Sequence, residues 1–362
     1  MAQNYSDVQG VLNKIFQEPL QDYINRANPF LSAIRKVPVA SDQIYIKGTL
    51  SSDHNAGFIT TGADVTLAGD EGTVYLNGTL PFTTIIGKWA VSKLAMEQVR
   101  NQPGALATLM QTEIMNAAKD LADTLAAAIF GATTAQGFAG LQSMIATNNT
   151  YAGIDRTVSG NANFRGNVLD RLVDGSPDTP GELGTRVFDA ADKAFFDNVG
   201  YGLKDRPGAF TMFTTSAIQD KYAALFQTIT LGDLGNAHFV NQANSTGNLG
   251  NTAYSYGNIP MIRDRNVSAA SGDLANSGRI YIMDMSKIML AVKDSNHPEL
   301  AQMQQLRGFM TGVDGLEGAL NPAIEVLGNS GETVRGYVKC YLNLATLNPK
   351  EAGIAIINVK NN

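Results

Sequence analysis

The chain has 362 residues, and its 27 Lys and Arg against 33 Asp and Glu give a formal net charge of −6. Hydrophobic residues make up 44% of the chain, as in a folded globular protein, whereas charged residues make up only 17%, below the roughly 25% of an average soluble protein. This composition excludes a disordered chain, and the acidity argues against nucleic-acid binding as the main source of affinity. The low charge predicts a surface that is rich in uncharged polar groups or covered by other subunits.

The residues that usually carry covalent or metal chemistry are scarce. The single cysteine, Cys340, can form neither an internal disulfide nor a cysteine zinc site, and three scattered histidines do not suggest a metal centre. No stretch approaches the roughly 20 apolar residues that span a bilayer, and the N-terminus lacks the pattern of a secretory signal. We therefore expect a reducing, cytoplasm-like compartment and no membrane.

The first 92 residues divide into two predicted segments. Residues 1–47 are predicted to form an arm with short amphipathic helices and a strand that begins at Gln43 and runs to Leu50. Residues 48–92 are rich in Gly, Thr and Asp, with β-like runs over 57–61 and 73–79. Since this second segment cannot bury much apolar surface by itself, we expect a long hairpin that projects from the body and lies on something else.

Residues 104–130 form the clearest predicted helix. Pro103-Gly104 opens it and Gly131 closes it. At 1.5 Å per residue the helix is a rod of roughly 40 Å, long for a compact domain. Its predicted apolar face consists of Leu106, Leu109, Met110, Ile114, Ala117, Leu121, Leu125, Ala128 and Ile129.

The remaining chain shows a mixed pattern of helices and strands. The repeated pattern of a strand followed by Asp or Arg predicts one sheet with helices packed against it. A polar, Gly-rich and Asn-rich loop is expected over 236–257. The predicted helices span 186–199 and 216–227, the second capped by Thr215 or Ser216, and the predicted strands span 209–214, 259–264, 278–285, 287–292, 332–347 and 352–360.

A search for catalytic and ligand-binding motifs finds none. The sequence contains no phosphate-binding loop, nucleophile elbow or metalloprotease motif. The stretch from Asp170 to Gly175 resembles a calcium loop only faintly, because Leu172 occupies a ligand position. His297 has no nucleophile in view, and Cys340 lies on the apolar face of a strand, which is typical of a buried structural thiol. The sequence predicts no catalytic residue, cofactor or metal site.

Charged residues in two places are candidates for subunit contacts. Arg156 and Arg165 lie in the polar passage 151–166, and Arg263, Asp264 and Arg265 follow a predicted strand. Such residues can fasten an interface through bidentate ion pairs, or they can simply be solvated. The sequence leaves both readings open.

The order of these parts resembles the major capsid (coat) protein of tailed double-stranded-DNA bacteriophages, whose fold is shared with encapsulins and the herpesvirus capsid floor. The resemblance covers nearly the whole chain. It is carried by the extended loop at 48–92, the spine helix at 104–130, the passages 140–145 and 151–166, the strand and helix at 209–227, the paired strands at 258–267 and 278–292, and the long strand at 332–347.

The resemblance implies an α+β fold with four parts. These are an N-terminal arm (1–47), an extended β-hairpin loop (48–92), a peripheral domain (93–139 and 321–362) and an axial domain (140–320). The implied subunit-interface candidates are Phe58, Thr60, Val65, Tyr75, Arg156, Arg165, Arg263, Asp264 and Arg265.

The resemblance also implies a function without catalysis. Copies of the chain would form hexamers and pentamers of an icosahedral shell in the virion, around double-stranded DNA held without sequence-specific contacts. Because the chain begins directly with the arm, a separate scaffolding protein is expected, with a portal and a decoration protein as further partners and the host cytoplasm as the place of assembly. The alternatives are an encapsulin-like compartment and, less favoured because no nucleophile is in view, an α/β hydrolase-type enzyme.

Overall fold

The computed structural model describes residues 28–49, 75–98, 103–173, 180–184, 186–206, 208–232, 255–256, 259–267, 273–293, 323–330 and 332–360. The predicted arm helices, the β-like run over 57–61 and most of the predicted loop 236–257 lie outside these ranges.

Helices and strands alternate along the described chain. The helices are α1 (Pro29–Ala33), α2 (Lys93–Gln98), α3 (Pro103–Phe130), α4 (Leu141–Met144), a 3-10 helix (Ser159–Phe164), α5 (Val187–Val199), α6 (Ser216–Gly232) and α7 (Pro349–Ala352). The strands are β1 (Arg35–Val39), β2 (Gln43–Thr49), β3 (Tyr75–Pro81), β4 (Thr83–Ser92), β5 (Thr150–Tyr151), β6 (Ile154–Asp155), β7 (Asn167–Asp170), β8 (Phe210–Thr214), β9 (Ser255–Tyr256), β10 (Ile259–Arg263), β11 (Ser277–Asp284), β12 (Ile288–Lys293), β13 (Ala323–Ser330), β14 (Thr333–Thr346) and β15 (Gly353–Lys360).

A five-stranded sheet packs one face against the long helix α3. The strand order is β1-β12-β14-β13, and β4 also pairs with β14 in antiparallel register. Side chains of β4 alternate strictly between buried and exposed, so only one face of this part of the sheet is covered. Gly87 lies on the covered face, where an added Cβ would stand 2.1 Å from the carbonyl oxygen of Ala117 in α3. The backbones of β4 and α3 are therefore in direct contact at this point.

A six-stranded sheet forms the second centre of the fold. Its order is β7-β15-β11-β8-β10-β9, with β7/β15 and β8/β10 parallel and the other pairs antiparallel. Helix α5 supplies Phe188 and Phe195 to an apolar cluster that also contains Phe210 and Met212 of β8. Edge-to-face contact between Phe195 and Phe210, with ring centroids 5.5 Å apart, joins helix to sheet.

Most of the predicted elements are confirmed within the described residues. Helices α3 and α5 and strands β2, β8, β14 and β15 match their predicted positions to within a few residues. Thr215 provides the predicted cap, because its hydroxyl accepts a hydrogen bond from the amide of Ile218 at 3.4 Å. Helix α6 continues to Gly232, five residues beyond the predicted end.

The expectation of one sheet for the strands after residue 258 is wrong. Strand β12 pairs with β1 and β14 in the five-stranded sheet, whereas β10 and β11 belong to the six-stranded sheet. Moreover, β10 and β11 do not pair with each other, because β8 lies between them. Alternating sequence patterns indicate that a segment is a strand, but they do not specify its neighbour.

Two strands lie in a different place from the one that the predicted parts suggest. β15 belongs to the six-stranded sheet, between β7 and β11, although it was grouped with the long strand β14. β4 was included in the projecting loop, yet it pairs with β14 along its full length and buries Trp89 and Val91. Projection from the body is therefore expected only of the hairpin that ends at β3.

Candidate assembly surfaces

A two-stranded hairpin, separate from both large sheets, is the first candidate surface. Strands β2 and β3 pair in antiparallel register from Gln43–Pro81 to Thr49–Tyr75. Ile44, Ile46 and Leu80 are buried against the body, where β2 contacts the 3-10 helix and β3 contacts β6. On the opposite face the ring of Tyr45 is 67% exposed. The outer face of the hairpin therefore presents an aromatic ring to solvent.

The segment that connects the two strands of the hairpin has an unusual charge. Residues 50–74, which we call the acidic connection, contain no Lys or Arg. Its four charged residues are Asp53, Asp64, Asp70 and Glu71. The acidic connection therefore carries a formal charge of −4, two thirds of the net charge of −6 of the whole chain.

The open face of the five-stranded sheet is the second candidate surface. On β14 the side chains of Tyr337, Lys339 and Tyr341 point away from α3 and are half-buried. The ammonium nitrogen of Lys339 lies 5.8 Å from the ring centroid of Tyr337 and 5.4 Å from that of Tyr341, so the cation is held between two aromatic rings. Lys88 lies directly across from Tyr337, and Ile86 lies across from Lys339.

This open face, which we call the basic–aromatic face, is positively charged. Lys88, Arg335 and Lys339 contribute three positive charges, while the strand register places one acidic residue, Glu325, beside Tyr337. Ile86 is 47% exposed at its centre. A positive face with half-buried tyrosine rings and an exposed isoleucine, on a chain of negative net charge, is suited to bind an acidic segment.

Arg156, a predicted interface residue, is an internal clamp. Its side chain is completely buried, and one guanidinium nitrogen donates to the carbonyl oxygens of Met144 at 2.8 Å and Ala146 at 2.6 Å, just beyond the end of α4. The guanidinium also stacks over the ring of Tyr151 at 5.1 Å. Burial lowers the pKa of Arg156 to about 10, so the group stays charged at neutral pH. Because all of these partners are in its own chain, Arg156 is not available to a second subunit.

Arg165 continues the same internal network but remains partly exposed. Its guanidinium donates to the carbonyl oxygens of Arg156 at 2.7 Å and of Thr157 and Val158 at 3.2 Å each. These contacts fix the backbone of the passage 151–166. The side chain of Val158 is half exposed beside them. A subunit contact in this region stays a prediction, and it would involve Val158 at least as directly as Arg165.

The charged triplet after β10 is split between surface and interior. Arg263 is exposed, and Arg265 forms an ion pair with Asp123 of α3. Asp264 is buried, and one of its carboxylate oxygens accepts hydrogen bonds from the backbone and side-chain nitrogens of Asn266 at 2.9 and 3.0 Å. Asp264 therefore shapes the turn after β10, which leaves Arg263 and Arg265 as the members that a neighbour can reach.

Four interface candidates are predicted in the extended loop. Phe58, Thr60 and Val65 lie outside the described residues, within the acidic connection. Tyr75 begins β3, where its backbone pairs with Thr49. The sequence analysis missed the basic–aromatic face, although Arg335, Tyr337, Lys339 and Tyr341 at alternate positions of a predicted long strand are the signal that could have shown it.

Groups suited to catalysis are not assembled in the described part of the chain. No group of three or more His, Cys, Asp and Glu side chains that could hold a metal is found there. Burial raises the pKa of the Cys340 thiol to about 12, which keeps it protonated and unreactive. The same ranges contain no helix whose length and apolar character would let it cross a membrane.

No protein-family model and no curated protein sequence matches the chain. Solved structures do match. A chain in the capsid asymmetric unit of cyanophage A-1(L) aligns with a TM-score of 0.65 at 18% sequence identity, and the alignment covers 92% of this chain and 93% of that chain. The capsid of an empty GTA particle gives a TM-score of 0.52 at 12% identity, covering 91% and 90% of the two chains. The SrpI encapsulin from Synechococcus elongatus PCC 7942 gives 0.51 at 11% identity, covering 92% and 89%.

Each of these alignments covers more than nine tenths of this chain. They show that the chain has the α+β coat fold of bacteriophage capsid proteins, a fold that the encapsulin shares. The resemblance inferred from the sequence is thereby confirmed at the level of the fold. At these sequence identities the alignments do not transfer function, which has to be argued from the surfaces of the chain itself.

Proposed function

We propose that this chain is the structural subunit of a bacteriophage capsid and that it acts without catalysis. Copies of it assemble into hexamers and pentamers of an icosahedral shell that encloses double-stranded DNA. The observation that carries the proposal is the coat fold over more than nine tenths of the chain, with a TM-score of 0.65 to a cyanophage capsid chain. Two surfaces of opposite charge, the acidic connection and the basic–aromatic face, support it.

Contact between subunits is proposed to join these two surfaces. The acidic connection of one subunit lies on the basic–aromatic face of the next, where its carboxylates meet Lys88, Arg335 and Lys339. Apolar residues of the same connection, Phe58 among them, cover Ile86 and the exposed edges of the tyrosine rings. Opposite charges steer the encounter, and burial of the apolar groups supplies most of the affinity.

The parts of the proposed subunit follow the coat fold. The five-stranded sheet and α3 correspond to the peripheral domain, and the six-stranded sheet corresponds to the axial domain. Arg263 and Arg265 remain candidates for a further contact. Packaged DNA would touch the inner wall through its phosphates without sequence readout. The negative net charge of the chain suits this role, because a strongly basic wall would hold the DNA too tightly.

A scaffolding protein, a portal and a decoration protein are the proposed partners beyond the chain itself. The virion is the proposed location, with assembly in the host cytoplasm. A closed shell needs one sequence to make the same contact at slightly different angles in hexamers and pentamers. Contacts through an extended segment tolerate such differences better than contacts between two rigid faces.

Expression of the full chain, alone and with a co-expressed scaffolding protein from the same genome, tests the proposal. Size-exclusion chromatography and electron microscopy should show closed particles of megadalton mass. Monomers or small oligomers under both conditions, at concentrations up to the millimolar range, would count decisively against a shell subunit.

An encapsulin-like compartment is the second candidate, because the SrpI encapsulin has the same fold. The two functions differ in what the particle contains. Particles purified with the phage packaging proteins should hold nuclease-protected double-stranded DNA if the chain is a phage coat subunit. Particles that instead retain a folded cargo protein, and no DNA under the same conditions, would support the compartment.

A further inference from the structure

A buried amide joins three parts of the chain at the base of the β2–β3 hairpin. The side-chain nitrogen of Asn343 donates to the carbonyl oxygens of Pro81 at 2.7 Å and Gly137 at 3.0 Å. Its side-chain oxygen accepts from the amides of Ala139 at 2.9 Å and Leu344 at 2.8 Å. Asn343 is completely buried, and both donors and both acceptor positions of its amide are used.

The three parts joined by Asn343 are those whose relative direction matters for the hairpin. Pro81 is the last residue of β3, at the corner where the hairpin meets the five-stranded sheet. Gly137 and Ala139 belong to the loop that follows α3, and this loop is held by its own hydrogen bonds between Thr134 and Phe138. The hairpin corner is therefore tied both to the end of the long helix and to the long strand.

A second contact holds the hairpin two residues before its corner. The amide of Thr79 donates to the carbonyl oxygen of Ala152 at 2.9 Å. A Cβ added to the neighbouring Gly78 would lie 2.8 Å from that oxygen and 3.0 Å from the Ala152 Cβ. Ala152 and Gly153 form the two-residue turn between β5 and β6, with positive φ angles of 54° and 77°. The hairpin strand thus lies directly on the tight turn at Ala152.

We propose that Asn343 and Gly78 are positioning residues that fix the direction of the hairpin, and with it the curvature of the shell. This inference rests on the proposed function, since it concerns how the acidic connection is aimed at the neighbouring subunit. Two contacts on one strand, at Pro81 and at Thr79 two residues before it, set both the position and the angle of that strand. A small change in the angle of the strand at the base produces a larger displacement at the far end. The strands rise about 3.4 Å per residue, and β2 and β3 each span seven residues.

Gly78→Ala is the sharpest test, because an alanine is well accepted in a strand except where a backbone approaches this closely. Gly160→Ala is the matched control, since an added Cβ at Gly160 meets nothing within 4 Å. Asn343→Leu keeps the volume and removes both donors. Ala152→Gly, combined with Gly78→Ala, removes one of the three close contacts of the added Cβ and suits the positive φ of position 152.

Hydrogen exchange of unassembled subunits supplies the first measurement. Gly78→Ala and Asn343→Leu should lower the protection of amides over 75–81 by about tenfold, while α3 keeps its protection. Gly160→Ala should change neither region. Loss of protection spread evenly over α3 would overturn the proposal, because the contacts would then hold the whole fold together rather than aim the hairpin.

Particle geometry supplies the second measurement. In electron micrographs Gly78→Ala should give open or irregular shells, or shells of altered diameter, and Ala152→Gly should restore part of the wild-type diameter distribution. A loss of stability alone would lower the yield and leave the diameter unchanged. Wild-type diameters in both Gly78→Ala and Asn343→Leu would overturn the proposal. Failure of the wild type to assemble would instead contradict the proposed function, with the exchange measurement still testing the anchor.

Discussion

Reversal of charge on the basic–aromatic face should weaken assembly without unfolding the subunit. The double variant Lys88→Glu with Arg335→Glu changes two exposed side chains on the sheet face that α3 does not cover. Neither side chain contributes to the apolar core, so the free energy of unfolding measured by chemical denaturation should change by no more than about 0.5 kcal/mol per site.

The size of the effect follows from the exposure of the pairs. An exposed ion pair contributes about 0.2–1 kcal/mol, and reversal of one partner replaces that attraction by a repulsion of similar size. Two reversed charges therefore cost about 2 kcal/mol per subunit contact, which corresponds to a roughly 30-fold weaker contact. Light scattering should show the critical concentration for assembly rising accordingly. The difference from the wild type should shrink as salt is raised, because the Debye length falls from about 8 Å near physiological ionic strength to about 3 Å at 1 M.

Two further variants make this result interpretable. Lys119→Glu with Lys193→Glu is the matched control, because it makes the same change of net charge on exposed positions of α3 and α5. Asp70→Lys with Glu71→Lys in the acidic connection, added to the reversed face, should recover much of the lost assembly. Equal loss in the control, or no recovery from the second pair of changes, would refute the proposed contact between these two surfaces.

Three other predictions concern the folded subunit. Arg156→Ala should lower the free energy of unfolding by about 3 kcal/mol or more in denaturant titrations, because it leaves buried carbonyl oxygens unpaired, whereas Arg186→Ala at an exposed position should have almost no effect. Gly87→Ala should cost at least about 3 kcal/mol by the same assay, since its Cβ has no space beneath α3, while Gly160→Ala should be tolerated. Burial gives the Cys340 thiol a higher pKa in the folded than in the unfolded chain. Its contribution to the free energy of unfolding is therefore present below pH 9 and is lost as the pH rises. Between pH 8 and pH 10 the free energy of unfolding should fall by about 1.4 kcal/mol more in the wild type than in Cys340→Ala. An equal loss in both proteins would contradict the burial of this thiol.

The sequence predicted elements better than it predicted their partners. The long helix α3 could be placed because Pro103 and Gly131 mark its ends and its apolar residues recur at helical spacing. The position of β12 could not, since its alternation fits either sheet and its register with Ile288 opposite Thr346 depends on contacts distant in sequence. The sequence pattern likewise does not show that β4 separates from the hairpin at Phe82, because the pairing of β4 with β14 depends on contacts distant in sequence.

The candidate surfaces were predicted less completely than the fold. Arg156 stands in a polar passage whose composition is that of an exposed loop, and only the structure shows that its guanidinium donates to carbonyl oxygens at the end of α4. Asn343 occupies an ordinary strand position in the sequence. Its importance arises because the corner at Pro81 and the loop at Gly137 meet there, which local pattern cannot reveal.

The two kinds of contact at the ends of the hairpin suit the two demands that a closed shell makes on it. Hydrogen bonds weaken steeply when their angle departs from linearity, so the bonds of Asn343 and Thr79 at the base allow few orientations. Interactions between exposed charges depend mainly on distance, so the acidic connection can meet the basic–aromatic face over a range of angles. A subunit that occupies both hexamers and pentamers needs a hairpin of fixed direction and a contact with its neighbour that forms over a range of angles. If instead the base of the hairpin were held by charge contacts and the acidic connection by hydrogen bonds, subunits could still associate. The direction of the hairpin, however, would not be fixed.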